Sequence, residues 1–171
     1  MRVLVAYASA AGSTAGIAEW IAGALQAHGH EVTLRSVEDV VDVEDFDAFV
    51  VGSAVHRQAW LPAAAGFLRR HRKALRGKPI WLFSVGLPGA LRGPLRRWAM
   101  LEENDVLAEL LDDVTPVEHR LFTGVVSAAG FGKTGALVFR LFGGRFGDFR
   151  DWAEIESWSA SIAGVLAAQK S

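Results

Sequence analysis

Apolar positions in this chain alternate between two rhythms. Residues 2–8 form a nearly continuous apolar run, and so do 46–54 (Phe46 to Ala54) and 80–87 (Ile80 to Leu87). Short unbroken runs fit strands buried on both faces, as in a parallel sheet. Glu31 to Val37 alternates instead and reads as an outer strand, and Arg120 to Ser127, rich in Val, Phe and Thr, is the last strand-like run. Between them Ile17, Trp20, Ile21, Ala24 and Leu25 repeat at helical spacing and stop at His28-Gly29. Leu61, Ala64, Ala65, Leu68 and Leu75 mark a second helix, with Pro62 suited to its first turn and Gly77 to its end. Residues 97–112 and 151–168 read as two more helices.

Strand–helix alternation from end to end predicts an α/β fold, a doubly wound, five-stranded parallel sheet with helices on both faces, in a single domain spanning residues 1–171. Residues 87–96 read as a loop by their glycines and prolines, and 128–150 is glycine-broken and apolar without a clear element.

The composition, 51% hydrophobic and 22% charged, belongs to a folding chain with material for a full core. There is no cysteine, which excludes disulfides, thiolate metal sites and a cysteine nucleophile; redox chemistry would have to come from a cofactor. No HExxH or clustered His/Asp pattern argues for a metal. The N-terminus turns polar too soon for a signal peptide, and no run approaches the ~18 apolar residues of a membrane span, so the expected location is cytoplasmic. Charge is uneven: no acid falls between Asp47 and Glu102, while Arg57, Arg69, Arg70, Arg72, Lys73, Arg76, Lys78, Arg92, Arg96 and Arg97 all do. This stretch is either a solvated face balanced in space by Glu102 to Asp113, or a basic surface for an anionic ligand, a lipid headgroup or an acidic partner. Nucleic acid is not an expected partner.

The first strand delivers into Ser9-Ala10-Ala11-Gly12-Ser13-Thr14, where the first helix begins. A monophosphate needs hydroxyl donors, inward-pointing amides and the positive end of a helix dipole. Ser9, Ser13 and Thr14 supply hydroxyls, Gly12 supplies the turn, and small side chains leave the approach open. The same residues also suit a plain Ser/Thr N-cap after a tight turn. There is no GxGxxG, so a dinucleotide fingerprint is not supported.

The run Val3 to Thr14 resembles the FMN-phosphate loop of flavodoxins, Thr/Ser-x-Thr-Gly-x-Thr, with Ala11 in place of the middle threonine. More of the chain is similar to flavodoxin-domain proteins related to menaquinone-dependent protoporphyrinogen IX dehydrogenase. Val51-Gly52-Ser53-Ala54-Val55-His56 with Trp60 resembles that group's second loop, and Phe83-Ser84-Val85-Gly86-Leu87 its third. Phe122 to Val126 and Gly147 to Trp152 match as well.

The resemblance implies strand order 2-1-3-4-5 with FMN at the switch point outside strands one and three. Ser53, Ala54, Val55, His56 and Trp60 would then flank the flavin ring on one side, and Ser84, Val85, Gly86 and Leu87 on the other. Trp60 either stacks on the ring or staples the start of the second helix. His56 is the candidate catalytic residue, a proton relay to reduced flavin or to a quinone. The resemblance implies an FMN-dependent oxidoreductase with a quinone-like or porphyrinogen-like substrate; the alternative is a flavodoxin-type electron carrier serving a separate enzyme. Two departures favour the enzyme: electron carriers of this family tend to be acidic, and the third loop lacks the tyrosine often stacked there. The family's long basic insertion is not clearly matched in the 87–100 region.

Ser127 to Thr134 resembles a P-loop, which would imply nucleotide binding. Yet its first position is serine, Phe131 sits inside the cradle, and no other apolar strand ends in a magnesium-holding aspartate. Residues 133–146, with Leu137, Val138, Phe139, Leu141, Phe142 and Phe146 among three cations, read as core packing or as a segment lying on a membrane surface.

Overall fold

The computed structural model describes residues 1–56, 59–87, 114–127, 137, 139–141 and 144–169. Three central strands are those of the unbroken runs, β1 (Arg2–Ala8), β3 (Ala48–His56) and β5 (Ile80–Gly86), and β6 (Glu118–Thr123), from the last strand-like run, lies at one edge. The alternating strand β2 (Glu31–Ser36) takes the opposite edge. The order is β2-β1-β3-β5-β6, and these neighbours are all parallel. Leaving out β4 (Ala59–Trp60), a two-residue strand that pairs antiparallel with β3, this is the expected 2-1-3-4-5. The chain reverses its winding at β1, and ligands of such sheets bind at the carboxyl edge beside that reversal.

Side chains sort onto two faces. On one, α1 (Ser13–Ala27) and α3 (Trp152–Ala168) cover Val3, Val5, Val50, Trp81, Phe83 and Phe122. Trp158 of α3 stands edge-on to Phe122 with centroids 5.4 Å apart, and its indole donates to Glu118 Oε2 at 3.0 Å. Asp151 caps α3 by accepting from the Glu154 amide at 3.0 Å. On the other face α2 (Pro62–Leu75) lays Ala64, Phe67, Leu68 and Leu75 over Leu4, Phe49, Val51 and Leu82. Each large apolar side chain fully buried here contributes about 1.5–3 kcal/mol.

Three boundaries differ from the sequence reading. Strand three runs on to His56, and its last two residues, Val55 and His56, pair antiparallel with Trp60 and Ala59 of β4, so these residues form a hairpin ladder and not an open loop. The last strand-like run breaks at Gly124: β6 ends at Thr123, and β7 (Val125–Val126) pairs antiparallel with β8 (Gly147–Asp148). One strand, β8, thus lies inside the stretch 128–150 that offered no clear element. The expected helix over 97–112 and most of the P-loop-like run lie outside the described residues. No helix among the described residues is long and apolar enough to cross a membrane.

Candidate functional site

At the carboxyl edge Ala8, the last residue of β1, lies opposite Ser53 and Ser53 opposite Ser84, and β3 and β5 run on past that level to His56 and Gly86. From that edge β1 turns through residues 9–12 directly into α1. Ala10, Ala11 and Gly12 are exposed, Ser9 and Ser13 half-buried, and Thr14 fully buried. Gly12, at the N-cap of α1, has φ 87°, and a Cβ placed there would meet nothing within 4 Å. Only glycine takes this left-handed turn without strain, and the space before the helix is open.

The loop holds itself with a single internal side-chain bond, Gly12 N–H to Ser9 Oγ at 3.0 Å. No side chain caps α1, and no acid occupies its first turn. The first amides of the helix and the positive end of its dipole therefore face the opening. Thr14 Oγ1 is buried and has no hydrogen-bond partner among the described residues. Leaving a buried hydroxyl unpaired costs about 1–3 kcal/mol, a penalty that an arriving oxyanion removes. Uncapped amides, an orphaned hydroxyl, open space and no carboxylate together fit a phosphate group.

The other expected residues divide into two sets. Ala54 and Val55 are half-buried at the end of β3, Gly86 is half-buried at the end of β5, and Leu87 is 39% exposed. Val85 closes toward the phosphate loop: a Cβ on Gly124 would sit 2.8 Å from Val85 Cγ1 and 2.9 Å from Ser13 Oγ. His56 is exposed at the hairpin. These residues share the carboxyl edge with the loop.

Ser53, Ser84 and Trp60 face inward instead. Ser53 accepts from the Leu61 amide at 3.0 Å, and Trp60 packs into the α2-side core with its indole donating to Ser84 Oγ at 2.7 Å. Of the two readings of Trp60, its burial (5% exposed) corresponds to the staple. Sequence reasoning missed His119, whose Nε2 lies 2.9 Å from Ser84 Oγ. It lies one residue before the run Arg120 to Ser127, in the part of β6 that the apolar pattern did not mark, on the same sheet face as Ser84.

Among the described residues, charge at this edge comes from β8 and the turn after it. Arg150 Nε donates to both Asp148 carboxylate oxygens at 2.9 and 3.1 Å, and its guanidinium lies 4.5 Å over the Trp152 ring. These hydrogen bonds hold the Asp148 carboxyl down to about 2 and raise Arg150. The described part of the basic stretch lies elsewhere. Arg69, Arg70, Arg72, Lys73 and Arg76 are exposed toward the end of α2, which runs from the carboxyl edge to the amino edge of the sheet. Among the described residues, no group of three or more His, Asp or Glu side chains is placed to hold a metal.

Residues 4–139 match the family described as Flavodoxin domain. None of the proteins of curated function matches. Among solved structures the chain is similar to the rubredoxin:oxygen oxidoreductase of the anaerobe Desulfovibrio gigas, with 21% identity and a TM-score of 0.62. That match covers 99% of this chain and 37% of the other. A flavodoxin variant from Pseudomonas aeruginosa gives 15% identity, a TM-score of 0.59, and coverage of 98% of this chain and 99% of that one. Oxidised flavodoxin 1 from Bacillus cereus gives 15% identity, a TM-score of 0.58 and coverage of 94% and 95%. At these identities the likeness is one of fold.

Proposed function

The chain belongs to the flavodoxin-domain family, whose cofactor is FMN, and on that premise we propose that it is an FMN-dependent oxidoreductase acting on a quinone-like or porphyrinogen-like molecule. Bound FMN supplies electron or hydride transfer. Ser9 to Thr14 hold its phosphate: the α1 amides donate, Thr14 Oγ1 gains the partner it lacks, and the Ser9 hydroxyl is freed from Gly12. Ala54, Val55 and Gly86 offer main-chain groups to the ring edge, while Leu87 and Val55 make that side apolar and exclude water. His56, exposed beside the ring position, takes up or delivers the proton that accompanies hydride transfer.

The observation that carries the enzyme reading is the chemistry of the opening. Residues 9–14, 53–56 and 84–87 contain no carboxylate and several apolar side chains. An apolar or anionic small molecule meets no repulsion there, whereas a basic redox protein finds no complementary charge. The resemblance of the second and third loops to the protoporphyrinogen dehydrogenase group supports the same substrate class. The electron-carrier reading is favoured by one specific finding, the near full-length match to stand-alone flavodoxins.

Two measurements decide. The purified chain should bind FMN at micromolar concentration or tighter, with a flavin band in its visible spectrum. It should then turn over a soluble quinone with a chemical or enzymatic reductant and no added protein. No flavin uptake overturns the site; uptake without turnover selects the carrier.

A further inference from the structure

A buried polar chain crosses beneath the β3–β4 hairpin. Trp60 Nε1–H donates to Ser84 Oγ at 2.7 Å, and Ser84 Oγ lies 2.9 Å from His119 Nε2. Trp60 and Ser84 are 5% and 1% exposed, and His119 is half-buried. The three residues sit on β4, β5 and β6, so the chain links three strands. An indole N–H can only donate. Ser84 Oγ therefore accepts from Trp60, and the same hydroxyl meets His119 Nε2, as donor to one imidazole tautomer and as acceptor from the other.

The hairpin depends on such a mooring. β3 last pairs with β1 at Ser53 and with β5 at Ala54, so Val55 and His56 project past both neighbours. Beyond that point the ladder consists of two residue pairs, Val55 with Trp60 and His56 with Ala59. A two-stranded ribbon this short is marginal in water. Among the described residues two side-chain bonds tie it down: Leu61 N–H to Ser53 Oγ at 3.0 Å, and the Trp60 indole to Ser84.

We propose that His119 is a positioning residue for the cofactor site: by orienting the Ser84 hydroxyl it fixes the Trp60 indole, and through it the main chain of Val55 and His56 that faces the flavin ring. The proposal rests on the FMN reading above. It gives a structural polar residue, remote from the phosphate loop, control over ring binding without contact.

The test uses the full chain, with and without FMN, as His119→Leu, His119→Gln and Ser84→Ala. Glutamine can place an amide oxygen or nitrogen near the position of Nε2 and so match either role of the imidazole. The readouts are the Trp60 indole N–H resonance, assigned with Trp60→Phe, and the affinities for FMN and riboflavin. His119→Leu and Ser84→Ala should shift the indole resonance and weaken FMN and riboflavin together by about fivefold or more, the value of one neutral hydrogen bond. His119→Gln should restore both readouts toward wild type. An unshifted indole resonance in His119→Leu overturns the proposal, as does a loss that glutamine fails to rescue while thermal unfolding stays at the wild-type temperature. Wild-type protein that takes up no flavin overturns the cofactor reading, and the indole resonance then still reports whether His119 holds the hairpin.

Discussion

Thr14 permits a substitution whose two effects have opposite sign. Its side chain is fully buried, and its hydroxyl has no partner among the described residues. Thr14→Val keeps the β-branched shape and removes only the polar group. In the cofactor-free protein this deletes an unsatisfied donor, which should stabilise the fold by up to about 1–3 kcal/mol. For a chain of this size each kcal/mol raises the melting temperature by about 2–4 °C. In the FMN complex the same hydroxyl would donate to a charged oxygen, a bond worth about 1.5–3 kcal/mol. FMN affinity should therefore fall by about 10- to 150-fold, while riboflavin, which lacks the phosphate, should bind as to wild type. Melting of the flavin-free protein and fluorescence titrations with both flavins measure the three numbers. A core role for the hydroxyl predicts the reverse, a lower melting temperature with FMN affinity intact. That outcome would refute the phosphate assignment.

Three further expectations follow from the packing and the titrating groups. Gly52→Ala places a methyl inside the van der Waals envelope of the Phe83 ring and should destabilise the fold by about 3 kcal/mol or more, read by urea unfolding, with partial recovery in a Gly52→Ala/Phe83→Leu double variant. His71 has a lowered pKa, chiefly because burial disfavours the imidazolium and then because Arg70 repels it, against the pull of Asp42 and Glu44. Above pH ~6.5 both states are neutral there; below it the unfolded chain takes the proton first, so stability should decline as pH falls through that range, and His71→Phe should flatten the decline. Asp148, held at about 2 from a usual 3.8, supports the folded form above pH 3.8 and loses that support as pH falls toward 2. The pair is partly exposed, so the stability effect should stay under about 1 kcal/mol; a carboxyl NMR midpoint near 4 in wild type, or no rise in Arg150→Gln, contradicts this.

The sheet was legible because its central strands are buried on both faces, which leaves unbroken apolar runs, while the edge strand β2 keeps its alternation. The loop at Ser9 to Thr14 was legible because its geometry is local: a strand, a glycine with positive φ and a helix start are contiguous. The hairpin at 55–60 was not, since Val55 pairing with Trp60 depends on where the indole finds a buried acceptor, and that acceptor is Ser84, 24 residues away. The pairing of Val125–Val126 with Gly147–Asp148 is likewise set by contacts across a long sequence gap. The basic stretch shows the limit of counting charge: its cations are contiguous in sequence, yet those on α2 sit toward the end of the helix remote from the phosphate loop.

The phosphorus resonance of FMN, followed through a pH titration with the protein in slight excess, reports the grip of the loop most directly. Free phosphate monoesters titrate with a second pKa near ~6. Amides of α1 and the Thr14 hydroxyl that donate to the dianion should displace the resonance and suppress its titration, and Thr14→Val should restore part of it. A signal that follows the curve of free FMN while the flavin is bound would mean that the phosphate lies in solvent, contradicting the account.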